Sequence, residues 1–86
     1  MNSPAVNAAP TLSPAAARRR AAWREYMIAL EAEREASQEI DALRAAGQRE
    51  AAEALVPRWR ELLAADLAAW NKFCACDTPA ARAGIR

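Results

Sequence analysis

The sequence predicts an all-α fold: an antiparallel two-helix hairpin preceded by a flexible amino-terminal arm. Three observations carry this expectation. After Pro14, no proline or glycine interrupts a run of alanine, glutamate, arginine and leucine up to Ala46, all strong helix formers. Gly47, one of only two glycines in the chain, then stands where a left-handed helix C-cap is wanted. Beyond it Leu55, Trp59, Leu62, Leu63, Trp70 and Phe73 recur at helical spacing, within about a third of a helix circumference.

Each element has a local reason. Residues 1–13 are rich in proline, serine and asparagine, with only Val6 and Leu12 as sizeable apolar side chains after Met1, and cannot bury enough surface to order themselves. Ser13-Pro14 is a helix start: a hydroxyl that can accept from an orphan amide, then a proline whose missing donor costs nothing at the first helical position. The first helix is therefore expected over residues 14–46, with Arg44 in its last turn facing the negative end of the helix dipole. After the turn at Gly47 a second helix should run over residues 48–76. Pro57 lacks the donor that the carbonyl of Glu53 would receive, so a kink or restart is expected there. Thr78-Pro79 repeats the cap logic, and the tail over residues 77–86 should hold a short helical turn, PAARA, ended by Gly84. The stretch LRAAGQREAAEAL is similar to the inter-helix turn of tetratricopeptide-type hairpins at Gly47 and Ala52, and departs from it at Trp59. A single copy cannot build a solenoid, so the likeness is one of local turn chemistry.

Charge is balanced in total, with twelve basic against eleven acidic residues, but not in distribution. Arg18, Arg19, Arg20 and Arg24 all precede Glu25, whereas residues 25–41 hold six acids and one arginine, so the first helix is a charge dipole. Eleven of the twelve basic residues are arginine, and with so much alanine this points to a GC-rich genome, bacterial or phage. No run of about 18 apolar residues is present to span a membrane as a helix. The start lacks the apolar stretch of a secretory signal. The expected compartment is the cytoplasm, or a virion or the host cytoplasm for a phage-encoded chain, with the cysteines reduced.

The chemistry of catalysis is sparse. Without histidine there is no Ser-His or Cys-His nucleophile pair and no imidazole metal ligand, and two glycines make no phosphate-cradling loop. No enzymatic activity, cofactor or metal is expected. Cys74 and Cys76, two apart on a helix, point about 200° away from each other and supply at most half of a tetrahedral zinc site. The expectation is packing, with Cys74 at the edge of the apolar stripe and Cys76 off it.

Two surfaces remain as candidates. The first is the stripe of the second helix, a protein-binding face made of Trp59, Leu62, Leu63, Asp66, Trp70 and Phe73. Asp66 points into this stripe and needs a partner, either Arg24 or Arg34 of the first helix or an arginine on another protein, unless it sits at the solvent end of the stripe. Trp23, Tyr26, Met27 and Leu30 of the first helix should meet Leu67, Trp70 and Phe73, and Ile40 and Leu43 should meet Leu55 and Val56. One hairpin covers only one side of the stripe, which predicts a homo-oligomer or docking on a larger protein. The second surface is Arg18, Arg19, Arg20, Trp23 and Arg24, suited to an acidic partner or to phosphates. These arginines oppose the helix dipole at a cost of roughly 0.3–1 kcal/mol each, which a bound anion would offset. The functional expectation is a non-catalytic protein–protein interaction module or small structural or accessory subunit of a larger assembly, a phage-type inhibitor of a host complex included. The alternative is a nucleic-acid-binding accessory protein using Arg18–Arg24.

Overall fold

A computed structural model describes residues 11–84, so residues 1–10 of the expected arm and the last two residues lie outside the described part. It contains helix α1 (Pro14–Ala45), helix α2 (Arg49–Cys76) and the short helix α3 (Pro79–Ala83), with no strand among the described residues. α1 and α2 are antiparallel and packed along their length, as the sequence predicts.

The helix ends form by the chemistry read from the sequence. Ser13 Oγ accepts from the amide of Ala16 at 3.1 Å and Pro14 opens α1. At the other end Gly47 adopts φ +76°. The Gln48 amide donates to the Leu43 carbonyl at 2.9 Å and the Gly47 amide to Arg44 at 3.0 Å, the paired bonds of a Schellman cap. Arg44 and Glu53 pair at 3.2 Å across this turn. α2 accommodates Pro57 without ending, running unbroken from Arg49 to Cys76. Pro57 and Glu53 are both exposed, so the carbonyl that loses its donor is on the solvent side and the helix need not restart. Thr78 Oγ1 accepts from Ala81, and Gly84 at φ +77° caps α3. α3 folds back on the start of α1, where Ala81 and Ala16 are buried and the Ser13 amide donates to the Gly84 carbonyl at 3.1 Å.

The molecule is a slab of 68 × 28 × 15 Å. Its short dimension is little more than the ~10–12 Å diameter of one helix, so the hairpin is a single layer. An inward side chain can be covered only by the facing helix, and the buried set reflects this: Ala16, Ala22, Ile40, Ala52, Asp66, Phe73 and Ala81. No large side chain among the described residues is completely buried. Alanine at most of these positions lets the backbones approach closely but contributes little apolar area. The larger contribution comes from the aromatic end of the hairpin.

Candidate interaction surface

Four of the five aromatic side chains close into a ring of contacts between the helices. Trp23 lies 5.6 Å from Tyr26 and 5.0 Å from Phe73, while Trp70 lies 5.1 Å from Tyr26 and 5.7 Å from Phe73, centroid to centroid. All four pairs are tilted, which avoids the face-to-face sandwich that aromatic quadrupoles disfavour. This fixes the register of the hairpin at one end. Phe73 is the buried member, and the Arg19 guanidinium sits over its ring at 5.2 Å.

Arg19 is held there by an ion cluster. Its Nε donates to Asp77 Oδ1 at 2.7 Å, and Arg82 Nε donates to the same oxygen at 3.0 Å. The two guanidinium groups, Arg82 first and then Arg19, lower the Asp77 pKa from its ordinary 3.8 to about 2. One carboxylate thus joins α1, the end of α2 and α3. The expected arginine cluster is divided by this clamp: Arg19 is taken up in packing, while Arg18, Arg20 and Arg24 are exposed and have no ion-pair partner among the described residues.

The six residues expected to form the binding stripe are split in the same way. Trp59 is half-buried and its Nε1 donates to Glu33 Oε2 at 2.7 Å, so its polar edge is used within the hairpin. Leu62 and Leu63 are half-buried between the helices, Phe73 is buried, and Trp70 is the member left largely open. Asp66 is buried at 7% exposure, with no hydrogen-bond or ion-pair partner among the described residues. Arg24 and Arg34, the intramolecular partners expected for it, are both exposed. The Tyr26–Trp70 pairing places Asp66, one turn earlier on α2, at the level of Leu30, one turn later on α1.

What remains in water is a set of large apolar groups: Trp23 at 43% exposure, Met27 at 40%, Ile28 at 70%, Leu67 at 55% and Trp70 at 41%. Met27 lies one turn on from Trp23, and Leu67 one turn before Trp70, on the two helices whose aromatic rings already touch. Together Trp23, Met27, Leu67 and Trp70 form one apolar face near the aromatic end. Met27 and Leu67, expected to meet between the helices, are instead exposed, and Ile28 belongs to neither expected surface. A one-layer hairpin has less inside than its periodicity suggests. The Asp77 clamp carried no sequence signal beyond an acid just before a helix cap.

The cysteines reverse their expected order, with Cys74 exposed and Cys76 half-buried. Cys76 follows Phe73 by three residues and shares its inward side, whereas Cys74 follows Trp70 by four and shares its open side. No group of three or more potential metal ligands occurs among the described residues. One cleft near the turn has Ser37, Ile40, Asp41, Val56, Trp59 and Arg60 in its lining, and another lies along α1 at Met27, Ile28, Leu30, Glu31 and Arg34. None of the described helices is long and apolar enough to cross a membrane. No known protein family matches the chain, and no curated protein or solved structure is significantly similar to it.

Proposed function

We propose that the chain is a non-catalytic protein–protein interaction module, a small structural or accessory subunit of a larger assembly, docking through the face formed by Trp23, Met27, Leu67 and Trp70. The observation that supports this is the exposure of two tryptophans and two aliphatic side chains on one face of a single-layer hairpin. A monomer gains nothing from leaving such groups in water, and tryptophans of this kind are typical interface anchors. The reading places the protein in the cytoplasm of a bacterium, or in a virion or host cytoplasm if it is phage-encoded, where both thiols stay reduced.

A second reading is favoured by one observation: Arg18, Arg20 and Arg24 are unpaired among the described residues and adjoin exposed Trp23. Phosphates could bind there, with the indole stacking on a base. The test is affinity capture with the full chain as bait. The variant Met27→Ser with Leu67→Ser should stay helical by circular dichroism and lose the captured protein. Replacement of Arg18, Arg20 and Arg24 by glutamine should leave it bound. Loss with the glutamines and retention with the serines would favour the nucleic-acid reading instead.

A further inference from the structure

We infer that the occupant of this face is a second copy of the chain, laid antiparallel across the first, so that Arg20 and Arg24 of each copy meet Glu35 and Glu31 of the other. This rests on the docking reading above and names its partner. The outer row of α1 reads Arg20, Arg24, Met27, Glu31, Glu35, with spacings of four, three, four and four residues, which keeps all five within about 80° of arc. All five are exposed, and none of the four charged residues has an ion-pair partner among the described residues. The row is antisymmetric. Both charge pairs, 20 with 35 and 24 with 31, are centred between residues 27 and 28, beside the exposed Met27 of the same row. A two-fold axis through that point brings every arginine of the row opposite a glutamate and sets apolar side chains on the axis. A parallel pairing in register would set like charges together.

The second helix gives the same centre independently. The pairings Trp23–Phe73, Tyr26–Trp70 and Arg19–Asp77 fix the level of each α1 residue on α2. The point between residues 27 and 28 falls near residue 69, between exposed Leu67 and Trp70. One axis therefore centres the charges of α1 and the apolar patch of α2. Stacked on it, two 15 Å slabs become a two-layer, four-helix body, α1 over α1 and α2 over α2, in which the open tryptophans are inside.

The test is analytical ultracentrifugation of the full chain at about 1 to 100 μM. The wild type should be a dimer. Arg20→Glu with Arg24→Glu, and separately Glu31→Arg with Glu35→Arg, should each raise the dimer dissociation constant roughly tenfold or more while keeping wild-type helicity. An equimolar mixture of the two variants should recover a dimer at least as tight as the wild type, because every contact is then between opposite charges. A wild type that stays monomeric, swapped variants that dimerise like the wild type, or a mixture that fails to recover would each overturn the inference. A monomeric wild type leaves the docking reading intact, since capture of a different protein by the same face decides that separately.

Discussion

A carboxylate that folding removes from water without supplying a donor costs roughly 1–3 kcal/mol, and Asp66 is buried in that position. Its neighbours one turn away on α2 are Leu62, Leu63, Ala69 and Trp70, so nothing on its own helix compensates. Asp66→Ala removes the carboxylate and replaces it with a better helix former, worth a further few tenths of a kcal/mol. The small void left behind offsets part of this. The expected net effect is stabilisation by about 1–2 kcal/mol, which in a chain of this size raises the melting temperature by roughly 4 to 16 °C at fixed concentration. A thermal melt followed at 222 nm checks it, and a lower midpoint would mean that the carboxylate has a partner in solution. Arg19 shows the opposite case at the same scale. It is one of three consecutive arginines, identical in sequence terms, yet it alone finds both a ring and a carboxylate.

The turn and α3 each depend on one small device. Gly47 holds φ +76°, and a Cβ added there would meet nothing within 4 Å, so Gly47→Ala isolates the backbone cost of a left-handed residue. About 1 kcal/mol of stability should be lost, with a melting point lower by roughly 4–8 °C and unchanged helicity at low temperature. The helix limits were legible because caps are local: Ser13-Pro14, Gly47 and Thr78-Pro79 each act within four residues. What was not legible depends on which helix face meets another. Periodicity placed Trp59, Leu62, Leu63, Trp70 and Phe73 on one stripe, but could not say that Trp59 would bond Glu33 while Trp70 stayed open. Nor could it set Asp77 against Arg19, 58 residues away. That contact predicts an acid effect on the docking of α3. The Asp77 pKa lies below its unfolded value, from 3.8 to about 2, so the unfolded chain takes up the proton first. The stabilisation is present above pH 4 and is lost as pH falls through 4 towards 2. The difference in stability between the wild type and Asp77→Asn should accordingly shrink across that range. A difference that stayed constant from pH 5 to 2 would mean the clamp does not form.

For the whole molecule the deciding feature is its single layer. The slab is 68 Å long and 15 Å thick, and its unburied apolar groups concentrate at the aromatic end, beside the basic start of α1. Protein docking and nucleic-acid binding therefore compete for adjacent surface, and salt separates them. Three free arginines neutralising phosphates of a single strand or duplex would give a log-log slope of affinity against salt of roughly −2 to −3. That is a small footprint, and Glu25, Glu31 and Glu35, further along the same helix, would repel a polyanion lying along it. A protein partner uses the tryptophans instead, each worth about 2 kcal/mol or more when buried at an interface. Trp23→Ala with Trp70→Ala should thus abolish association, and Met27→Ser with Leu67→Ser, which spares the aromatic ring, should do the same. Replacing Arg18, Arg20 and Arg24 by glutamine should chiefly slow the encounter and flatten its salt dependence. Fluorescence anisotropy with a labelled random oligonucleotide completes the comparison. The expected outcome is weak binding that disappears by about 150 mM salt, because a Debye length of ~8 Å leaves so few contacts unable to hold a strand. Tight binding at that salt, unchanged by loss of both tryptophans, would transfer the function from the apolar face to the arginines.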